Sequence, residues 1–283
     1  MRIQDSVLDC IAFLYQLDDT PVGTAFIIGV PVDPSEKGKS VFVYLVTAKH
    51  VALRIQGKPF TVIVNGKDGE RKRINCGKNN KWVYHMTDSS VDAAITSDPF
   101  DDASELDIKC LPFLDMVATP EKIQSLGIGI GDAIFSVGLF ARYRETIRNW
   151  PIVRTGSIAM MPTEKVPIEI EDGKKVDADI YLIEARSVGG ISGSPVFVRP
   201  TSQAWLATLS REFLILGLMQ GHWDLKYYQD LLPTVDGDGS SGKGVNTGIA
   251  YVVPAYRILE ILMCPEFETD RKKIRTEKGI QIA

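Results

Sequence analysis

The sequence predicts an all-β protein made of two small closed barrels, with a helix near its C-terminus. Its dominant signal is a series of short runs rich in β-branched and aromatic residues, separated by turns that contain Gly, Pro, Asn or Asp. Some runs alternate polar with apolar residues and others are apolar throughout, which is typical of strands that curl into small barrels with filled interiors. The clearest runs are VLDCIAFLY (7–15), GTAFIIGV (23–30), SVFVYLVTA (40–48), FTVIVNG (60–66), DAIFSVG (132–138), DIYLIEAR (179–186), SPVFV (194–198), FLILGLMQ (213–220) and GIAYVVP (248–254).

The chain is predicted to divide into two similar halves near residue 118. The segment TPEKIQSLGIGIG, residues 119–131, breaks the strand pattern and contains three glycines. We therefore expect a first barrel over residues 1–118 and a second over residues 119–264. Within the second half, the run TVDGDGSSGKG is polar and rich in glycine, has no apolar face to bury, and is predicted to form a surface loop.

The end of the chain departs from the strand pattern. After Pro254, the sequence AYRILEILM has apolar residues at helical spacing, which predicts a helix that packs on the second barrel. Residues 265–283 form a mostly charged tail, and the cluster RKKIRTEK within it is predicted to be a solvated terminus.

Composition limits the partners and the compartment. The 283 residues are 45% hydrophobic and carry a formal net charge of −4, so neither nucleic acid nor a membrane surface is an expected partner. The N-terminus lacks the charged start and long apolar run of a secretion signal, and no window approaches about 18 uninterrupted apolar residues, so a cytoplasmic location is expected. The four cysteines are scattered without metal-ligand spacing, so neither a metal site nor a disulfide framework is expected.

A histidine and a serine stand in contexts that suit nucleophilic chemistry, which requires a base within hydrogen-bond reach of the hydroxyl. Of three histidines, His50 is the best candidate base, because it follows a strand run in VTAKHV, where small residues let the backbone turn tightly. His85, in WVYHMTD, is interpreted as structural. The candidate nucleophile is Ser192 in SVGGISGSPVFV, where Gly190 and Gly193 permit a sharp turn. Such a turn aims the amides of Gly190 and Ser192 at one point and forms an oxyanion hole.

The carboxylate that would orient the base is less sharply defined. Asp92 in SSVDAAITSD is the candidate, because the small apolar residues after it would bury it against a barrel. Its spacing favours it over Asp88 and Asp107, which remain alternatives. Ser187 and Ser194 are likewise alternatives to the candidate nucleophile.

Three blocks together resemble a known family. VTAKHV, VDAAI and GGISGSPVF occur in this order and resemble the histidine, aspartate and serine blocks of trypsin-like serine peptidases. SGSPVF is most similar to the glutamyl endopeptidases of the staphylococcal V8 type, whereas GTAFIIG, LPFLD, GIGDAIFSVG, RTGSIA and GIAYVVP are similar to the strands of HtrA-type proteases. The similarity extends from about residue 6 to residue 262. It implies the chymotrypsin-like fold, with two six-stranded antiparallel Greek-key β-barrels and a C-terminal helix. It also implies a triad of His50, Asp92 and Ser192 that needs no metal or organic cofactor.

The resemblance also assigns residues to substrate binding. The edge strand that pairs with an extended substrate is expected to contain Met219, Gln220 and Gly221. Arg186, six residues before the nucleophile, occupies the family's place at the floor of the primary specificity pocket, and His222 followed by tryptophan resembles the glutamate-binding segment of V8-type enzymes. Both would favour an acidic substrate side chain. The alternatives are a surface ion pair for Arg186 and a solvated loop for His222.

Two classes of function stay open. The sequence favours a serine endopeptidase that hydrolyses protein or peptide substrates through an acyl-enzyme. The alternative is a catalytically silent module that binds extended peptides, and the intact set of His50, Asp92 and Ser192 argues against it. Ile191 stands where secreted, zymogen-activated members of the family have an aspartate, so activation by cleavage is not expected. A regulatory protein that orders the loops, including residues 235–244, is a candidate partner.

Overall fold

The structure, a computed structural model, consists mainly of antiparallel β-strands and confirms the predicted all-β class. It describes residues 3–35, 40–97, 99–100, 102–141, 147–169, 175–185, 190–202, 212–225 and 245–280. Its strands form a first sheet, a closed barrel and a separate two-stranded hairpin.

The first sheet comes from the N-terminal part of the chain. Its strands are β1 (Ile11–Gln16), β2 (Pro21–Pro31), β3 (Val41–Thr47), β4 (Phe60–Asn65), β5 (Arg71–Cys76), β6 (Val83–Tyr84), β7 (Ala94–Ser97) and β8 (Leu111–Pro112). Their order is β5-β4-β1-β2-β3-β7-β6, with antiparallel neighbours, and β8 pairs with β2 in parallel. The sheet has eight strands where six were expected, because β6 and β8 add two pairings of only two residues each.

The second sheet closes into the predicted six-stranded antiparallel barrel. Its strands are β9 (Ala133–Gly138), β10 (Ile152–Met160), β13 (Tyr181–Glu184), β14 (Pro195–Arg199), β15 (Leu214–Leu225) and β16 (Val245–Pro254). Around the barrel they follow the order β10-β13-β16-β15-β14-β9. The hairpin of β11 (Val166–Glu169) and β12 (Lys175–Ala178) is inserted between β10 and β13.

Apolar side chains fill both the barrel and the space between the two sheets. Phe135 and Phe197 stack with ring centroids 4.8 Å apart, and Phe213 meets both rings edge-on. These rings belong to one buried cluster with the first sheet, whereas Ile134 and Val196 belong to a second cluster inside the barrel. Neighbouring residues of one strand point to opposite faces, so β9 and β14 serve both cores. The first sheet and the barrel therefore share one apolar cluster.

Short helices occupy the connections. They are α1 (Asp5–Leu8), α2 (Lys49–Ile55), α3 (Phe113–Met116) and α4 (Pro120–Leu126). The predicted break in the strand pattern coincides with α4. Thr119 caps the start of this helix by accepting a hydrogen bond from the Lys122 N–H, and the helix ends at Gly127, which has φ +63°. Here β8 is the last strand of the first sheet and β9 the first of the barrel, while the division at residue 118 stays a prediction.

The C-terminal helices correct one prediction. The expected helix is present as α5 (Ala255–Leu262), but the charged segment after it forms a further helix, α6 (Pro265–Glu277). Phe267 of α6 packs edge-on against Tyr44, with ring centroids 5.1 Å apart. Arg271 is 3% exposed and donates to the Tyr44 hydroxyl at 3.1 Å, while Arg275 donates to the Val32 carbonyl at 2.8 Å. Lys272, Lys273 and Lys278 of the cluster are exposed, so the departure from the predicted solvated segment is confined to Arg271 and Arg275, which find partners at the first sheet.

The glycine-rich run predicted as a surface loop, residues 234–244, lies outside the described residues. None of the helices in the described ranges is long and apolar enough to cross a membrane.

Candidate active site

His50 lies in the first turn of α2, directly after strand β3. Thr47 ends β3, and Ala48, which is fully buried and extended, precedes the helix. Asp92 reaches the same place from the neighbouring strand, because β7 pairs with β3 so that Ala94 lies opposite Thr47. Strand register therefore brings together two residues that are far apart in sequence.

Asp92 binds His50 at two points. Its Oδ2 lies 2.7 Å from His50 Nδ1, and its Oδ1 accepts a hydrogen bond from the His50 backbone N–H at 2.9 Å. The Asp92 side chain is 12% exposed and the His50 side chain 23% exposed, so the carboxylate is nearly buried while the ring keeps contact with solvent. Because an ionised carboxylate only accepts hydrogen bonds, Nδ1 carries the proton, and Nε2 of a neutral His50 is a hydrogen-bond acceptor.

The alternative acids make other contacts. Asp88 accepts a hydrogen bond from Lys165 Nζ at 2.8 Å. Although partial burial acts in the opposite direction, the hydrogen bond from Lys165 holds the pKa of Asp88 well below its usual value. Asp107 Oδ2 lies 4.0 Å from Arg148 Nη2. The candidate whose carboxylate meets the histidine ring is Asp92.

Ser192 lies in a turn between two left-handed glycines. Gly190 has φ +97° and Gly193 has φ +86°, conformations that residues with a side chain adopt only with strain. The turn closes with a hydrogen bond from the Ser194 N–H to the Ile191 carbonyl at 3.0 Å. Ile191 is 1% exposed and belongs to the barrel core, so an apolar side chain anchors the turn.

Strand β15 supports the turn from the barrel side. The Gly193 N–H donates to the Met219 carbonyl at 2.8 Å, and the Met219 N–H donates to the Ser194 carbonyl at 2.8 Å. The Ser192 hydroxyl donates to the Gln220 carbonyl at 3.3 Å, which is long for a hydroxyl donor. The backbone of the turn is thus held firmly and its hydroxyl only weakly.

The turn also packs against the residues that lead into α2. A Cβ atom added to Gly193 would overlap the Thr24 carbonyl oxygen and the Thr47 hydroxyl, and would lie 3.1 Å from Ala48 N. The absence of a side chain at Gly193 therefore permits the serine turn to approach the start of the helix that carries His50.

A second glycine permits the same approach from the other side of the contact. A Cβ atom added to Gly23 would lie 2.8 Å from the Val51 side chain of α2 and 3.0 Å from the Ser192 carbonyl oxygen. Strand β2 thus lies between the serine turn and helix α2, and contacts both at Gly23.

The two amides predicted to bind an oxyanion are the N–H groups of Gly190 and Ser192. Among the residues that the structure describes, neither amide donates to a protein acceptor. Their assignment as donors to a developing negative charge stays a prediction.

The predicted substrate-binding residues differ in their positions. Arg186 lies outside the described residues, as does the alternative nucleophile Ser187. Met219 is 1% exposed, its side chain belongs to the barrel core, and both its backbone groups are bonded to the serine turn. Its assignment to a free strand edge is therefore corrected, because Met219 supports the turn instead. Gln220 and Gly221 follow it on β15.

His222 is half-buried further along β15, opposite Ala250 of β16. The next residue, Trp223, is 39% exposed and meets the ring of Tyr251 edge-on at 5.5 Å between centroids. The role of His222 in specificity stays a prediction.

His85 lies in structural contacts, which agrees with its interpretation from the sequence. Its Nε2 is 2.7 Å from Glu260 Oε2, and its Nδ1 accepts a hydrogen bond from the Asp88 N–H at 3.0 Å. The side chain is 9% exposed. His85 therefore joins the loop before β7 to helix α5.

Sequence reasoning missed Thr24, beside the serine turn, and treated Thr47 only as a small residue that lets the backbone turn before His50. Both are fully buried, and both stand in runs that are otherwise apolar. That setting was an available signal, because a buried hydroxyl group needs a hydrogen-bond partner.

Within the described ranges, no group of three or more His, Cys, Asp and Glu side chains could hold a metal ion.

Comparisons with known proteins give structural likeness only. The chain matches no family model, and no curated protein matches it. A serine-to-alanine mutant of Rv3671c from M. tuberculosis H37Rv, in its inactive form, is 18% identical with a TM-score of 0.48, covering 91% of this chain and 87% of that one. The active form of the Rv3671c protease is 18% identical with a TM-score of 0.47, covering 91% and 81%.

A structure from a study of coupled folding and binding of the Sesbania mosaic virus VPg protein is 13% identical with a TM-score of 0.47, covering 90% of this chain and 91% of that one. Because all these identities are 18% or lower and the TM-scores are below 0.5, no property of these proteins is transferred to this chain.

Proposed function

We propose that this protein is a serine endopeptidase that hydrolyses peptide bonds through an acyl-enzyme. Ser192 is the nucleophile, His50 the general base, and Asp92 the residue that orients the base. The observation that carries the proposal is the two-point contact of Asp92 with His50, at 2.7 and 2.9 Å, at the start of the helix against which the serine turn packs.

In the first half of the reaction, His50 Nε2 removes the proton from Ser192 Oγ as this oxygen attacks the carbonyl carbon of the substrate. The hydroxyl gives up its 3.3 Å hydrogen bond to the Gln220 carbonyl, a long bond whose loss is a small cost. The amides of Gly190 and Ser192 stabilise the negative charge on the tetrahedral intermediate. His50 then donates the proton to the leaving amine, and an ester with Ser192 remains.

In the second half, water loses a proton to His50 and attacks the ester, and the proton returns to Ser192 Oγ as the acid product leaves. Throughout the cycle Asp92 keeps the proton on Nδ1 and stabilises the imidazolium without being protonated. The near-burial of Asp92 strengthens this interaction, because water screens it less than it would an exposed pair.

The substrates we propose are proteins or peptides in extended conformation, bound along β15 beyond Met219. An acidic residue before the cleaved bond is the preference that Arg186 and His222 suggest. Rejection of acidic residues at that position, in a panel of peptides that differ only there, would contradict the preference and leave the proposed reaction untouched.

The test of the proposed reaction is labelling of the purified protein by a fluorophosphonate, which phosphonylates an activated serine. We expect labelling of the wild type, and loss of labelling in Ser192→Ala and His50→Ala. Ser194→Ala is the matched control, because Ser194 belongs to the same turn but is fully buried. It should be labelled at close to the wild-type rate.

A folded wild type that resists the probe would overturn the proposed reaction and favour a silent peptide-binding module. Labelling that survives in Ser192→Ala would show that another residue is the nucleophile.

A further inference from the structure

Thr24 is a polar residue in the apolar strand β2, and it is fully buried. It makes four hydrogen bonds, all of them to residues distant in sequence. Two of the four involve the hydroxyl, for which a single partner would be enough, and the other two occupy the backbone N–H and C=O. The number of its partners and their location next to Ser192 point to a further role.

Two of these hydrogen bonds hold the serine turn. The Thr24 hydroxyl donates to the Gly190 carbonyl at 2.7 Å, and the Thr24 N–H donates to the Ser192 carbonyl at 2.9 Å. They fix the peptide groups that follow Gly190 and Ser192. The peptide group that contains the Ser192 amide lies between those two, so its orientation is restricted from both sides.

This restraint matters most at Gly190. A glycine with φ +97° has no side chain to limit rotation of its neighbouring peptide groups, and its own amide is one of the two candidate oxyanion donors. An external hydrogen bond to its carbonyl is therefore what restrains the direction of the turn at this residue.

The remaining two hydrogen bonds tie Thr24 to its surroundings. Its hydroxyl accepts from the Leu139 N–H at 2.9 Å, at the end of β9, and its carbonyl accepts from the Thr47 hydroxyl at 2.6 Å. Thr47 is the last residue of β3, two residues before α2 begins. Thr24 thus connects the serine turn to the barrel and to the strand that delivers His50.

We propose that Thr24 is the positioning residue of the oxyanion hole. Its hydroxyl and amide hold the carbonyls of Gly190 and Ser192, and these two peptide groups flank the Ser192 amide and keep it in the orientation that stabilises the tetrahedral intermediate. This inference rests on the proposed peptidase function. Thr24 acts through the turn and does not itself contact substrate.

The experiment measures the second-order rate of fluorophosphonate labelling for wild type, Thr24→Val and Thr24→Ser. Valine keeps the shape of threonine but loses the hydroxyl, whereas serine keeps the hydroxyl. We expect a loss of about 10- to 100-fold in Thr24→Val, since loss of one oxyanion donor costs about 100- to 1000-fold and displaced donors cost less. Thr24→Ser should stay within about threefold of wild type, because serine restores the same donor.

Thr61→Val is the matched control. Thr61 is also fully buried in the first sheet, but its hydroxyl donates to Asn75 Oδ1 at 3.2 Å. It should be labelled at the wild-type rate even if its thermal stability falls as much as that of Thr24→Val. Should the valine variant not fold, Thr24→Ala takes its place, because alanine removes the hydroxyl without setting a methyl group against the Gly190 carbonyl.

A pH profile separates positioning from general damage. In Thr24→Val the labelling rate should fall by the same factor from pH 6 to pH 9, with the midpoint of the profile unchanged, because the contact between His50 and Asp92 is left intact. A shifted midpoint, an equal loss in Thr61→Val, or a Thr24→Val rate equal to wild type would overturn the inference while leaving the peptidase standing. An unlabelled wild type would instead overturn the proposed peptidase, and this inference with it.

Discussion

The two sides of the candidate active site are built in different ways. On the base side, the side chains of His50 and Asp92 meet directly, because pairing of β3 with β7 sets the residues beyond their ends side by side. On the nucleophile side, Ser192 is placed by its backbone, through left-handed glycines and hydrogen bonds to both sheets. His50 and Asp92 are held by a hydrogen bond between their side chains, whereas Ser192 is held by the conformation and close packing of its backbone.

This difference separates two kinds of failure. A substitution that changes the chemistry of His50 or Asp92 without changing its shape should remove activity and leave the fold intact. The backbone pairing of β3 with β7 positions these residues and does not depend on their side chains. A change of shape on the nucleophile side should cost activity and stability together, because the serine turn is also part of the contact between the sheets.

Asp92→Asn is expected to give the largest loss of activity. An amide nitrogen facing His50 Nδ1 would require this atom to accept a hydrogen bond, which places the proton on Nε2 and removes the base. The labelling rate should fall by about 1,000- to 10,000-fold. The free energy of unfolding should change by about 1 kcal/mol or less, because the Oδ1 contact with the His50 N–H is retained.

Fluorophosphonate labelling and urea denaturation test this prediction together. Asp88→Asn is the control for an aspartate in the same loop and should keep the wild-type rate at pH 7. A labelling rate for Asp92→Asn within tenfold of wild type would show that another group orients His50.

Gly193→Ala is expected to lose less activity but more stability. The added methyl group would overlap the Thr24 carbonyl oxygen and would sit on a residue with φ +86°. We expect a fall of about 100- to 1000-fold in labelling, since the oxyanion donors move with the turn. The loss in the free energy of unfolding should be about 2–4 kcal/mol, from strain and overlap together.

Gly248→Ala separates the two causes. Gly248 has nearly the same φ, +83°, but a Cβ added there meets no atom of the described residues within 4 Å. It should lose only about 1–2 kcal/mol in urea denaturation, from backbone strain, and keep its labelling rate. Equal losses in the two variants would mean that the close approach at Gly193 is unimportant.

The same contrast explains what the sequence could reveal. The strands and the candidates His50 and Ser192 follow from local patterns, because alternation, turn residues and flanking glycines lie within a few positions of one another. Asp92 was favoured by its spacing over Asp88, but its selection rests on the register between β3 and β7, which no local pattern contains. Thr24 was missed for the same reason, since its partner Gly190 lies 166 residues away.

Arg271 of helix α6 shows how a tertiary contact overrides a local pattern at one residue. A cluster of charges normally remains in water, so RKKIRTEK predicts a solvated segment. Arg271 is buried because its partners are the Leu262 carbonyl and the Tyr44 hydroxyl, the second of them 227 residues distant. Charge patterning carries no information about a partner supplied by another part of the fold.

The smallest expected effect concerns an ionic tether between the base side and the barrel half. Lys165, just before β11, holds Asp88 in the loop that leads to Asp92, and the Asp88 side chain is 20% exposed. The pKa of Asp88 is lower in the folded protein, where Lys165 opposes the effect of burial, than its usual value near 4. The tether's contribution to stability is therefore complete above about pH 4 and is lost as pH falls through the lower, folded value.

Asp88→Asn should accordingly be less stable than wild type by ~0.5–1 kcal/mol at pH 7, because solvent partly screens the pair. The difference should shrink as urea denaturation is repeated at pH 5, 4 and 3, and a difference that stays constant or grows would contradict the assignment. Labelling at pH 7 within about threefold of wild type would agree with a base side fixed by its own strand pairing. A fall of more than tenfold would mean that the base side, like the serine turn, depends on contacts with the other sheet.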